Sequence, residues 1–217
     1  TYTGATTINA GTLEVGGSGL LGGGNYSGSI ALNGANSTFL SNSTFAQTLS
    51  GTKSGNGSIT KSGSGTLTIS GATSSFTGVT TVNSGTLILS GGDVLSGGSL
   101  VINSGATVYG AGNHNFGRGI STITINGGTY DASNPAWYYN SFTGNLIMNS
   151  GTWTAGSVGY AVSPGSYTLS GNNTITQLSL GGGTFNVTNG TTTITSTSSI
   201  ASAITKNCLL YTSPSPR

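Results

Sequence analysis

Along most of the chain, apolar side chains alternate with small polar ones at a period of two. Leu67/Ile69, Leu87/Leu89, Leu100/Ile102, Ile123/Ile125, Leu146/Met148 and Leu178/Leu180 show it most clearly. That period predicts short strands with one face buried and the other turned to water. Val, Ile, Leu and Thr fill these stretches, and they suit a pleated, half-buried surface. No apolar i, i+3, i+4 pattern of useful length exists, because Gly or a β-branched residue interrupts almost every window. A flexible linker or disordered stalk would have no reason to keep either feature.

The strands recur in a repeat. Tyr2-Thr-Gly-Ala-Thr-Thr-Ile-Asn-Ala-Gly-Thr-Leu-Glu-Val15 returns as Phe76-Thr-Gly-Val-Thr-Thr-Val-Asn-Ser-Gly-Thr-Leu-Ile-Leu89, with eight of fourteen positions identical. A shorter core, apolar-Asn-x-Gly-Thr-apolar, recurs at 125–130 and 148–153, with looser copies at 102–108 and 180–185. Marking the core glycines Gly11, Gly34, Gly65, Gly85, Gly105, Gly128, Gly151 and Gly183 gives spacings of 23, 31, 20, 20, 23, 23 and 32. A unit of about 20–23 residues suits one turn of a β-helix, each turn stacked on its neighbours at about 4.8 Å. The longer spacings then read as insertions looping out of a continuous core. Within the unit, Asn9/Gly11, Asn83/Gly85, Asn103/Gly105, Asn126/Gly128 and Asn149/Gly151 are the expected corner residues. Both residue types tolerate positive φ, and stacked asparagines can bond amide to amide along the axis. An antiparallel sandwich is the competing architecture, disfavoured by the regular spacing and the lack of two-residue hairpin signals.

Composition sharpens this picture. Of 217 residues about half are Gly, Ser or Thr, and only 4% are charged, with a formal net charge of +2. The few basic residues form no stripe for nucleic acid and no cluster for anionic lipid, and no apolar run is long enough to span a bilayer. The chain opens in mid-repeat, so residues 1–207 read as one β-helix segment truncated at both ends and lacking caps. The last ten residues, from Cys208 to Arg217, correspond to a translated transposon-end sequencing adapter and read as a non-native tail. Without that tail the chain has no cysteine, as is common for proteins exported through an oxidising compartment.

The segment Ile59-Thr-Lys-Ser-Gly-Ser-Gly-Thr-Leu-Thr-Ile-Ser-Gly71, followed by Phe76-Thr-Gly-Val-Thr-Thr-Val-Asn-Ser-Gly-Thr-Leu87, resembles the autotransporter-associated β-strand repeat. Phe76 stands where that pattern usually has Tyr, and residues 1–15 resemble the second half of another copy. The resemblance implies an all-β, right-handed parallel β-helix of the passenger type, exported to or shed from a bacterial cell surface and associated with the outer membrane. It implies a scaffold, with no catalytic positions to carry over.

Candidate chemistry is sparse. Glu14, Asp93 and Asp131 are the only acidic residues, and they fall on different turns. Cleaving a glycosidic bond needs two carboxylates flanking that bond, so no enzyme is expected. Three isolated carboxylates and His114 make no metal site, and no cofactor is expected. His114 and Arg118 read as an ordinary solvated loop. Gly22-Gly-Gly24 and Gly181-Gly-Gly183 lack the Lys-Ser/Thr ending of a phosphate loop and read as turns. The one uneven feature is the aromatic run at 130–142, where Trp137, Tyr138, Tyr139 and Phe142 form a candidate ligand or adhesion patch for glycans or proteins of a host or cell surface. The competing reading puts these rings inside one or two broader turns, as Tyr130 and Trp153 occupy apolar positions of the repeat. The leading function is a stalk or display segment of an adhesin-like surface protein. A carbohydrate-binding or carbohydrate-cleaving β-helix is the alternative. In isolation, the uncapped segment is expected to associate end to end.

Overall fold

In the computed structural model every paired strand runs parallel to its partners, and the chain winds into a β-solenoid. The structure describes residues 1–71, 75–91, 94–111, 119–133, 142, 144–155, 166–176, 178–180, 184–195, 197–200 and 204–206. One isolated antiparallel bridge, Asn103 to Gly127, lies at a corner.

The early turns have three short strands on three faces, and from Val79 onward the described strands of each turn build mainly the second and third faces. On the first face Thr6–Ile8, Ile30–Leu32, Lys53–Gly55 and Ser75–Phe76 stack in that order. The second face carries the longest stack: Gly11–Gly17, Ser37–Ser43, Ser58–Lys61, Val79–Val82, Ser99–Asn103 and Thr122–Asn126, then 145–149, 166–170, Thr184–Val187 and Ile204–Lys206. The third face runs through Asn25–Tyr26, Gln47–Leu49, Thr66–Ser70, Gly85–Ser90, Ala106–Gly110 and Thr129–Ala132, then 151–155, 173–175 and Thr192–Ile194. Leu178–Leu180 and Thr197–Ile200 form a separate parallel pair.

Alternation decides what goes inside. On the second face Phe39, Ile59, Thr80, Leu100, Ile123, Leu146, Tyr167 and Phe185 are successive register partners, and all are buried. On the third, Leu67, Leu87, Val108, Tyr130, Trp153 and Ile175 do the same. Every inward residue thus rests on the one below it. Burying such a side chain is worth about 1.5–3 kcal/mol, and no turn can do so alone.

The registers correct the spacing read from the glycine markers. Central turns repeat at 20 to 23 residues, as Val79↔Ser99 and Ser99↔Thr122 show. The first is longer, with Gly11 opposite Ser37, and a late one is shorter, with Ser166 opposite Thr184. The interval from Gly34 to Gly65 is not an insertion. Gly34 precedes a second-face strand, Gly65 precedes a third-face strand, and Ile30↔Lys53 spans an ordinary turn between them. Similarly, Thr184–Val187 follows Gly183 but lies on the second face, whereas residues 151–155 lie on the third. The two near-identical copies are themselves out of phase. Thr6–Ile8 and Gly11–Gly17 occupy the first and second faces, while their counterparts Val79–Val82 and Gly85–Ser90 occupy the second and third. Local sequence makes the strand–corner–strand unit, but does not choose which corner of the coil it turns.

Thr80 interrupts the apolar second-face column. It is fully buried, and its Oγ1 has no hydrogen-bond partner. Thr80→Val keeps the shape and removes the stranded hydroxyl, so it should stabilise the protein by about 1 kcal/mol. Urea denaturation followed by circular dichroism checks this, and a lower midpoint for Thr80→Val would contradict the burial argument.

Candidate functional site: the asparagine corners and a lysine-filled turn

The corner between the second and third faces carries a line of side-chain hydrogen bonds along the solenoid axis. Asn83 Nδ2 donates to Ser62 Oγ (3.2 Å), Asn103 Nδ2 to Asn83 Oδ1 (2.7 Å) and Asn126 Nδ2 to Asn103 Oδ1 (3.1 Å). Asn149 Nδ2 then donates to Asn126 Oδ1 (2.9 Å), and Ser170 Oγ to Asn149 Oδ1 (2.7 Å). Each amide donates to one neighbour and accepts from the other, so the bonds polarise in one direction. Asn9 is not part of this line. It accepts from Asn33 Nδ2 (3.0 Å) at the corner between the first and second faces, as the phase difference requires.

The corner glycines divide into two kinds. Gly11, Gly85, Gly105 and Gly151 have positive φ. Gly128 does not, which corrects the expectation for that position: Gly127 takes φ +80° in its place. Its neighbours explain the exchange. Gly127 is followed in its column by Ser150, Gly171 and Gly190, all at positive φ, whereas Ser104 on its other side is not, so the backbone path of the corner changes at this turn. Gly128 instead meets the chain below, where an added Cβ would lie 2.6 Å from both Asn103 O and Ile102 Cγ2.

Of the aromatic patch, Trp137, Tyr138 and Tyr139 lie outside the described residues, as do Asp93, His114 and Arg118. Phe142 is fully buried, with its ring 6.2 Å from Trp153, so it belongs to the core and not to an exposed patch. Tyr130 and Trp153 stack face to face inside the third face, 4.3 Å apart at 12°. Burial raises the Tyr130 and Tyr167 hydroxyls well above the usual tyrosine range. The two described acids are far apart and locally engaged: Glu14 accepts from Asn42, and Asp131 from the Ser133 amide. Among the described residues no group of three His, Cys, Asp or Glu could hold a metal.

Sequence reasoning missed two residues. Lys53 and Lys61, on one turn, are 1% exposed. Lys53 Nζ donates to Ser70 O (2.6 Å), Gly51 O (2.8 Å) and Leu49 O (3.3 Å), which satisfies all three of its protons. Lys61 Nζ donates to Gly63 O and to Ser84 O (3.3 Å). The signal was present in the alternation, since Ile59-Thr-Lys61 puts Lys61 on the inward side. The general rarity of buried lysine hid it. Desolvation lowers both ammonium groups, and Lys53 falls from 10.5 to about 8.

That shift fixes a pH dependence. Between pH 8 and 10.5 the unfolded chain keeps a proton on Lys53 that the folded chain has released, so stability must rise with pH. Below about pH 8 both states are charged and the dependence ends. The buried tyrosines act oppositely, losing stability once unfolded tyrosine ionises near pH ~10, so the clean window closes at about 9.5. Across pH 7.5–9.5 the urea-derived stability should gain about 1–2 kcal/mol, and Lys53→Met should flatten the profile. A wild-type profile that falls over this window would contradict it.

No curated protein and no solved structure matches the chain. Residues 1–15 and 59–89 match the family model of the passenger-associated-transport-repeat. Lys61, Asn83 and Gly85 fall within the second match, and Asn9 and Gly11 within the first. Both stretches are thus similar to the passenger-associated-transport-repeat, in agreement with the autotransporter-associated repeat that their Gly-Thr-Leu strands resemble.

Proposed function

We propose that this chain is a structural stalk or display segment of a secreted bacterial surface protein, adhesin-like and associated with the outer membrane. One observation carries the reading. An inward column passes from Phe39 to Phe185 through register partners turn by turn, while the outward positions alternate to small polar side chains. Such a core transmits stiffness along an axis and asks nothing of the outer surface beyond solubility. The passenger-type repeats at both matched stretches support the same reading. Partners, in this reading, are glycans or proteins of a host or cell surface met by other parts of the assembly.

A segment-exchange experiment tests it. In cells expressing the protein with an epitope tag ahead of Thr1, residues 1–206 are replaced by an unrelated solenoid of equal length. Antibody access to the tag on intact cells should be unchanged. The purified segment should bind nothing on a glycan array. Array binding that disappears when Trp137, Tyr138 and Tyr139 are changed to Ala would replace this reading with a carbohydrate-binding one.

The strand edges add an expectation. Thr6–Ile8, Gly11–Gly17 and Asn25–Tyr26 each pair on one side only among the described residues. With 4% charged residues, few side chains repel an approaching edge. The isolated segment should therefore associate end to end, with scattering mass rising with concentration. A mass independent of concentration, together with full amide protection at residues 6–17, would exclude it.

A further inference from the structure

We infer that Lys53 and Lys61 set the phase of the repeat, acting as positioning residues that hold the corners of consecutive turns in one stacking among several the sequence would accept. The need for such a device is written in the fold. One strand–corner–strand motif occupies the first and second faces at its first appearance and the second and third faces at its next. A chain able to use the motif in two phases has an alternative stacking close at hand, and in a repeat of small, similar residues little in the apolar pattern forbids it.

The two lysines lie where the phases meet, on the turn formed by Lys53–Gly55, Ser58–Lys61 and Thr66–Ser70. Each ammonium spans stacked corners. Lys53 joins the carbonyls of Leu49 and Gly51, entering its turn, to that of Ser70, leaving it. Lys61 joins Gly63 on its own turn to Ser84 on the next. Their register partners below are Ile30 and Ser41, and Val82 lies above Lys61. The bond from Lys61 to Ser84 exists only in the observed stacking, whereas the acceptors of Lys53 all precede the later copy and fix the corner on which it is laid. If the later copy moved back by one face, Thr81 would lie over Ser54 instead of Thr60, and Ser84 would leave Lys61. Lys61 would then keep Gly63 but lose Ser84, and a buried ammonium short of acceptors is a costly defect in a core, so the slipped form is rejected. An apolar residue at either place would pack equally in both phases. The lysines thus act by excluding the wrong arrangement, as a buried polar residue fixes register in a coiled coil.

Cysteine pairs on the outward side of the strands read the phase directly. In a Cys208→Ser background, Thr60→Cys/Thr81→Cys reports the observed stacking, where the two positions are register partners. Ser54→Cys/Thr81→Cys reports the stacking slipped by one face. Neighbouring parallel strands lie about 4.8 Å apart, within disulfide reach, whereas different faces do not. With both lysines present, mild oxidation should yield the 60–81 disulfide and no 54–81 disulfide, identified by peptide mass spectrometry. In Lys53→Met/Lys61→Met the 54–81 disulfide should appear and the 60–81 yield should drop several-fold, with the β-sheet circular dichroism retained. Lys61→Met alone, which removes the bond reaching the later copy, should come close to the double variant's yields, and Lys53→Met alone should shift them less. Unchanged 60–81 yield without any 54–81 product in the double variant would overturn the inference. Loss of the β-sheet signal in all three variants would overturn it too, because a group that only selects the phase is dispensable for forming sheet.

Discussion

Trp153→Ala should cost about 3–5 kcal/mol, enough to unravel the turns around it. Trp153 is 1% exposed and stands between Tyr130 and Ile175 in the third-face column. Its ring stacks on Tyr130 and is tilted against Phe142. Truncation leaves a cavity that neighbouring turns cannot close, since their strands are fixed by hydrogen bonds on both sides. Because solenoid turns touch only their neighbours, the damage should stay local. Hydrogen exchange should accelerate across residues 119–176 while residues 25–90 keep their protection. Trp153→Phe, which retains a ring, should cost less than half as much. An alanine variant within 1 kcal/mol of wild type would place this ring outside the core and reopen the aromatic run at 130–142 as a surface feature.

The pattern of alternation carried most of the architecture. Leu67/Ile69, Leu87/Leu89 and Leu100/Ile102 are all buried on the predicted side of their strands. The asparagine line at 83, 103, 126 and 149 follows from the same repeat, because one residue per turn at a fixed corner must stack. What the sequence withheld was phase. Asn9 and Asn83 sit in near-identical motifs, yet they turn different corners, since the identity of a corner depends on how many strands have been laid down before it. The interior lysines were hidden for another reason. Lys61 occupies an inward slot by parity, but its burial is tolerable only because carbonyls from two turns converge on it, and that convergence exists nowhere in the linear chain. Gly127 and Gly128 are adjacent and chemically identical, so only the column above, through Ser150 and Gly171, decides which one takes positive φ.

Three glycine substitutions should separate the reasons a corner excludes side chains, with Gly85→Val the most damaging. Gly85 combines both penalties. Its φ of +69° is costly for a β-branched residue, and an added Cβ would lie 2.4 Å from Gly63 O and 2.8 Å from Lys61 Nζ. Relief requires moving either a backbone strand or the ammonium from its carbonyls, so the expected loss is at least ~3 kcal/mol. Gly105 carries only the first penalty: φ is +81°, but nothing lies within 4 Å of the added Cβ. Gly105→Ala should therefore cost about 1 kcal/mol, the strain of a left-handed alanine. Gly128 carries only the second, with Asn103 O and Ile102 Cγ2 each at 2.6 Å and no positive φ. Gly128→Ala should lie between the other two, because Ile102 can shift its methyl whereas Asn103 O is backbone. Urea midpoints of the three variants at pH 7.5 give the ordering. If Gly105→Ala proved the worst, conformational strain would dominate these corners, and the close approach of stacked chains would count for little.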